Sequence, residues 1–202
     1  MRRILPGVLH WTTIHPRHGI EISSYWLEPE RILIDPMVPP EGLDWFAGNG
    51  PPAAILLSNR HHYRDSGLFA ERFGTPVHVN RLGVQEFTHG EPVTPFGAGD
   101  ELPGHVLAVG IGGICPDETA LLARGHRAVA LADGLIRQPP DGDLSFVPDM
   151  LMYEPAVTKA RLVAAYRALL DHDFDSLLLA HGHPMPGDGR DALTAFVEAN
   201  GG

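Results

Sequence analysis

Short apolar segments alternate with turn residues along the whole chain, and their pattern predicts the secondary structure. Three segments near the start, "RRILPGVLHW", "GIEISSYWLE" and "RILIDP" (31–36), are typical of β-strands. The second alternates in part between apolar and polar side chains, and the connections between the segments are short. We therefore predict that the chain begins with an antiparallel meander of strands.

A β-loop-α-β unit is predicted to follow over residues 53–80. The segment "AAILLS" (53–58) is apolar on both faces, which is typical of a central strand. Residues 66–74 predict a helix that ends at Gly74, and residues 76–80 predict the next strand. A polar loop, "NRHHYRD" (59–65), lies between the first strand and the helix. Ligand sites in α/β sheets favour the carboxyl ends of strands, so this loop is the first candidate site.

The second half of the chain contains further strands and the two clearest helices. Strands are predicted at 105–110, 118–123, 127–133 and 175–182, helices at 156–172 and 189–200, and an irregular connection between 134 and 155. In the first half, a short helix is predicted at 39–48, before the strand at 53–58. Each half thus consists of strands followed by helices. Two such halves can pack sheet against sheet with their helices outside. We predict an α+β fold, a four-layer αββα sandwich, formed by a single domain over residues 1–202.

The net charge and the cysteine content indicate which binding partners and which cellular compartment to expect. The formal net charge of the 202-residue chain is −10, which argues against nucleic acid and against an anionic membrane surface as partners. Cys115 is the single cysteine, so no intramolecular disulfide can form, as fits a reducing compartment. The start "MRRILPGVLHW" lacks the long apolar region of a signal peptide, and no segment has the length of a membrane helix. We expect a cytoplasmic protein.

Five segments, in this order, resemble the metallo-β-lactamase superfamily. They are "YWLEPERILIDP", "LLSNRHHYRDSGLFAERFGTPVHVN", "GGICPDETALLA", "AVALADGLI" and "LLLAHGHP". No single segment is specific, but their order and spacing together are specific for the fold. The resemblance implies the αββα sandwich, and it implies that polar residues at several strand ends meet at one edge.

The metal motif of that family is largely replaced in this chain. The family's H-x-H-x-D-H falls on Asn59 to Arg64, where His61 alone keeps a ligand residue in its place. The histidine of the family's G-H-T-P-G segment falls on Ile114, which cannot bind a metal. Asp133 and His181 occupy two further ligand positions of the family. The usual dinuclear site is therefore not expected.

The resemblance implies one metal ion at most. Its ligands would be His61, Asp133 and His181, and zinc, iron or manganese are candidates. Asn59, His62 and Arg64 would line the site and orient the substrate, with the Arg64 charge where the family's second metal lies. A metal-activated water would then attack an ester, thioester, amide or phosphoester bond of a small-molecule substrate.

The same residues also allow structural roles. His61 can hydrogen-bond a backbone carbonyl in a tight loop, and His62 can be an exposed loop residue. Arg64 can pair with Asp65 or Asp133, and Asp133 can cap a turn. A metal-free relative that binds a small anionic ligand or a protein partner thus stays open as the alternative function. The oligomeric state is also open, and a homodimer that shares apolar surface is one option.

Overall fold

The first half of the chain forms a seven-stranded sheet whose strands follow one another in chain order. The structure, a computed structural model, describes residues 1–201. The strands are β1 (Arg2–Leu5), β2 (Val8–Ile14), β3 (Glu21–Leu27), β4 (Ile32–Ile34), β5 (Ala54–Leu56), β6 (Val77–Asn80) and β7 (Val93–Phe96). Strands β1 to β4 pair antiparallel, and β4 to β7 pair in parallel. The predicted meander and the β-loop-α-β unit are confirmed.

Two details of this half differ from the prediction. A turn at Pro6-Gly7 divides the first predicted strand into β1 and β2, since Gly7 adopts a φ of 76°. Strand β7 was not predicted, because Pro95 weakens its strand pattern; at a sheet edge a missing backbone donor is tolerated.

Two helices cover the outer face of this sheet. They are α1 (Asp44–Asn49) and α2 (Ser66–Phe73). Phe46 of α1 and Phe69 of α2 are fully buried in one cluster with Trp26 of β3. Helix α1 begins later than predicted, because residues 39–42 form a turn in which Gly42 has a φ of 75°. Helix α2 ends at Phe73, and Gly74 follows in the left-handed conformation as expected.

The second half contributes a five-stranded sheet, a hairpin and two long helices. The elements are β8 (Glu101–Leu102), β9 (Val106–Gly110), β10 (Thr119–Ala123), β11 (Ala128–Leu131), β12 (Leu135–Arg137), β13 (Leu144–Phe146), α3 (Pro155–Leu169), β14 (Ser176–Leu179) and α4 (Gly189–Asn200). The sheet order is β14-β11-β10-β9-β8, and β11 pairs with β14 in parallel. The prediction of an irregular connection over 134–155 is wrong. Strands β12 and β13 pair as a hairpin around the prolines of "QPPDGD" (138–143).

The hydrophobic clusters define four layers. One cluster lies between the sheets and joins Tyr25 and Ile34 of the first sheet to Leu121 and Leu178 of the second. A second cluster packs α1 and α2 on the first sheet, and a third packs α3 and α4 on the second. The predicted αββα sandwich is confirmed. Among residues 1–201, no helix is long and apolar enough to span a membrane.

Candidate metal centre

Three side chains converge at one edge of the sandwich. His62, Asp133 and His181 each offer one ligand atom, and these atoms lie within 4.8 Å of one another. Asp133 Oδ1 lies 3.1 Å from His62 Nε2 and 2.9 Å from His181 Nε2. Within residues 1–201 this is the only group of three or more His, Cys, Asp or Glu side chains so arranged.

The strand register explains why Asp133 and His181 meet. Leu131 of β11 is paired with Leu179 of β14, and the two strands run in parallel. Asp133 and His181 each lie two positions after the last residue of their strand, so they leave the sheet side by side. The predicted proximity of Asp133 and His181 is confirmed.

His62 is reached through a short 3₁₀ turn over Arg60–His62. Asn59 begins this turn, and its Oδ1 accepts the backbone N–H of His61 at 2.9 Å. The turn leaves His61 exposed and buries His62, which is 4% exposed. The structure therefore corrects the motif-based placement: His62, and not His61, lies beside Asp133 and His181.

Residues at two other strand ends hold the His62 ring. His62 Nδ1 lies 2.9 Å from Asp35 Oδ2 and 2.9 Å from Ser58 Oγ. Asp35 follows β4 directly and also accepts the backbone N–H of Ser58 at 2.8 Å. Because both partners face Nδ1, the ring points Nε2 toward Asp133. No sequence pattern indicated a role for Asp35 or Ser58, although the pair Asp35-Pro36 ends a predicted strand.

Asn59 orients the shared carboxylate. Its Nδ2 donates to Asp133 Oδ2 at 2.7 Å, so the other oxygen, Oδ1, faces the two histidines. Asn59 is thus at the predicted site and contacts a proposed ligand.

Arg64 lies behind the site and contacts backbone carbonyls. Its Nη1 donates to Ser23 O and to Asp35 O, both at 2.7 Å. In the described part of the chain, Arg64 forms no ion pair, and its buried Nη2 has no hydrogen-bond partner. The alternative of a structural pair with Asp65 or Asp133 is wrong. Burial lowers the pKa of Arg64, opposed by the charges of Asp35 and Asp133.

The protonation of the cluster follows from its burial and charges. Burial disfavours the charged His62 ring, but the Asp133 and Asp35 carboxylates outweigh burial and raise the pKa of His62 to about 9. Burial likewise works against the Asp133 charge, yet His62 and His181 hold the pKa of Asp133 well below its usual value. At neutral pH, His62 is therefore an imidazolium that lies between the Asp35 and Asp133 carboxylates.

The replaced family positions contribute no ligand. Ile114 offers its backbone N–H to Glu118, and Tyr63 packs against Phe87 with ring centroids 5.6 Å apart. Cys115 is buried, and burial raises the pKa of its thiol.

The donor set fits one divalent transition-metal ion. Two ligand atoms that are each about 2.1 Å from one ion lie about 3.4 Å apart at a tetrahedral angle. In the cluster the two His–Asp pairs lie 3.1 and 2.9 Å apart, and all three atoms lie within 4.8 Å of one another. Two imidazoles and a carboxylate suit zinc or iron. Metal-bound histidines usually donate their other ring N–H to a carboxylate, as His62 does to Asp35. Metal binding itself stays a prediction.

Comparisons with known proteins identify the fold. No protein-family model and no curated protein matches the chain. The solved structure of TTHA1623 in a di-iron-bound form is 23% identical, with a TM-score of 0.68, and the match covers 88% of this chain and 94% of that one. The metallo-β-lactamase family protein TTHA1429 from Thermus thermophilus is 15% identical, with a TM-score of 0.68 and coverage of 98% and 81%. The superfamily protein ST1585 from Sulfolobus tokodaii is 11% identical, with a TM-score of 0.70 and coverage of 96% and 85%. The chain therefore has the metallo-β-lactamase fold that its sequence segments predicted.

Proposed function

We propose that the protein is a metal-dependent hydrolase with a mononuclear site formed by His62, Asp133 and His181. The observation that carries this proposal is the convergence of these three ligand atoms within 4.8 Å. The substrate would be a small molecule with an ester, thioester, amide or phosphoester bond. TTHA1623 is described in a di-iron-bound form, which supports iron beside zinc and manganese as a candidate ion.

When bound, a divalent ion supplies a water of lowered pKa and polarises the bond under attack. The chain's own residues prepare the site for that chemistry. Asp35 and Ser58 hold His62 Nδ1, so that Nε2 faces the cluster, and Asn59 holds Asp133 Oδ2, so that Oδ1 does the same. His62 must lose its Nε2 proton before this nitrogen can act as a ligand, so proton release accompanies metal binding.

Arg64 would contribute a fixed positive charge. The guanidinium is anchored through Nη1 to Ser23 O and Asp35 O, which holds it behind the site. A cation held in a partly dry environment favours negative charge that develops on a substrate oxygen. It also disfavours a second metal ion, which supports a mononuclear site.

A specific observation favours a second function, the metal-free binding of a small anionic ligand. Hydrogen bonds connect Asp35, His62, Asp133 and His181 in one continuous series. Protonated His62 already neutralises carboxylate charge, and Arg64 Nη2 is a buried donor without a partner among residues 1–201. An anion that reached Arg64 would gain a charged donor.

Metal content separates the two functions. We expect about one zinc, iron or manganese ion per chain by elemental mass spectrometry in untagged protein, and less than about a tenth of that in Asp133→Asn. His105→Asn, which changes an exposed histidine remote from the site, is the matched control and should keep the ion. Wild-type protein that stays metal-free after incubation with each of the three ions would contradict the hydrolase proposal and favour the anion-binding function.

A further inference from the structure

Three consecutive buried residues contact three separate segments of the site. Asp117 and Glu118 are each 1% exposed and Thr119 is 0% exposed. They lie at the start of β10, in the position where the family's G-H-T-P-G segment ends. None of them contacts a proposed ligand atom, but Glu118 bonds the backbone beside Asp133, and Asp117 and Thr119 bond the backbone two and four residues before His62. We call Asp117, Glu118 and Thr119 the anchor segment.

Glu118 joins two loops. Its Oε1 accepts the backbone N–H of Gly134 at 2.7 Å, and its Oε2 accepts that of Ile114 at 2.7 Å. Gly134 directly follows Asp133. The carboxylate therefore fixes the loop that carries Asp133 to the loop that has lost the family's histidine.

Asp117 holds the other half of the site. Its Oδ2 accepts the backbone N–H of Arg60 at 2.6 Å, and its Oδ1 accepts Arg60 Nε at 2.6 Å. Arg60 is the first residue of the turn that carries His62. Thr119 completes the connection, since its backbone N–H donates to Ser58 O at 2.8 Å.

Both loops pack closely against Leu162 of α3. A Cβ at Gly134 would lie 2.5 Å from Leu162 Cδ2 and 2.8 Å from Glu118 Oε1. A Cβ at Gly113 would lie 2.1 Å from Leu162 Cδ2. Both loops are thus pressed onto α3, and their buried N–H groups depend on Glu118 as the acceptor, because an unpaired buried donor is costly.

We infer that Asp117 and Glu118 are positioning residues that hold His62 and Asp133 in register for one metal ion. The inference rests on the proposed function, because metal affinity is the quantity that positioning would change. Hydrogen bonds from backbone N–H groups to a buried carboxylate are stronger and shorter than neutral ones when the carboxylate is ionised, so they suit this role. Partners outside the ligand set typically contribute about 10- to 100-fold to metal affinity.

The test compares metal affinity in Glu118→Gln, Asp117→Asn and a matched control. The control is Asp100→Asn, because Asp100 also accepts a loop N–H, that of Gly97, and an arginine, Arg81, but lies outside the site. Zinc affinity is measured by competition with a chromophoric chelator, well below each variant's unfolding temperature. We expect a loss of about 10- to 100-fold in the first two variants and no change in the control. A purely structural role would lower the unfolding temperature and leave the zinc affinity of the folded protein unchanged, which would overturn the inference.

A second readout keeps the inference separate from the proposed function. If wild-type protein binds no zinc, the hydrolase proposal fails, and NMR of the metal-free protein tests the anchor segment. We then expect Glu118→Gln to move the Ile114 and Gly134 amide protons and the His181 ring nitrogen signals, with no change in Asp100→Asn. Unchanged His181 signals would overturn the inference. If Glu118→Gln does not fold, Asp117→Asn gives the same comparison through Arg60 and His62, because asparagine keeps one oxygen acceptor for the Arg60 N–H.

Discussion

The two halves of the site are supported in different ways. Asp133 and His181 follow parallel neighbouring strands, and the backbone ladder of β11 and β14 sets their spacing. His62 lies in a loop, where side chains from distant parts of the chain, Asp35 and Asp117, hold the ring and the turn. At a strand end the backbone ladder still contributes to stability when one side-chain contact is lost, even where that contact, such as Glu118 to Gly134, sets the exact position of Asp133. A loop held by a few buried carboxylates should be far more sensitive to single substitutions.

The largest effect is expected for Asp35→Asn. Asp35 has a φ of 47°, which asparagine also tolerates, so the substitution removes the charge while the backbone conformation is kept. His62 then loses its buried partner, and breaking such a pair typically costs about 3–5 kcal/mol of unfolding free energy. Urea denaturation measures this loss. A loss below about 1 kcal/mol would contradict the view that carboxylates hold the loop that carries His62.

The next effect is a pH dependence of stability at Glu118. Burial raises the pKa of Glu118 to about 7. The N–H groups of Ile114 and Gly134 favour the ionised form and lower the pKa, but burial has the larger effect. The folded state therefore binds more protons than the unfolded state between about pH 4.5 and 7, and the contribution of Glu118 to stability falls as pH rises through this window.

Denaturation from about pH 4 to 8 in wild type and Glu118→Gln isolates this contribution. Across this pH range, the free energy of unfolding of wild type should fall by at most roughly 3 kcal/mol more than that of Glu118→Gln. This limit follows from the rise of the Glu118 pKa from 4.5 to about 7, at about 1.36 kcal/mol per pKa unit. Equal slopes in the two proteins would show that Glu118 does not titrate in this range.

A smaller effect is expected for Asn59→Ala. Asn59 caps the 3₁₀ turn through Oδ1 and orients Asp133 through Nδ2, so it connects the two halves. Loss of a capping side chain typically costs about 1–2 kcal/mol, measurable as a lower urea midpoint. Thr194→Ala on α4, which removes a hydroxyl bonded to Arg190 O, is a control in which we expect less than about half of that loss. Equal losses in the two variants would argue that Asn59 does not connect the turn to Asp133 in a way that stabilises the fold.

The contrast between the strand ends and the His62 loop also explains which parts of the fold and of the site could be predicted from the sequence. Most strands, helices α2, α3 and α4, and the strand-end positions of Asp133 and His181 depend on local apolar patterns and on register, so they were predicted correctly. The inward turn of His62 depends on the Asn59 cap and on two distant carboxylates, Asp35, which is 27 positions from His62, and Asp117, which is 57 positions from Arg60. No local pattern reveals these contacts. The β12–β13 hairpin was missed for a related reason. Its two strands are three residues long, and the proline-rich turn between them is typical of irregular loops.

The most direct test of the central claim compares His62→Asn with His61→Asn. The two residues are adjacent in the chain, but only His62 lies beside Asp133 and His181, while His61 is exposed. Metal content of both variants and of wild type is measured by elemental mass spectrometry after identical incubation with zinc. Our account predicts that His61→Asn retains the wild-type metal content and that His62→Asn loses it. Loss of metal in His61→Asn with retention in His62→Asn would contradict the account and restore the family's ligand position.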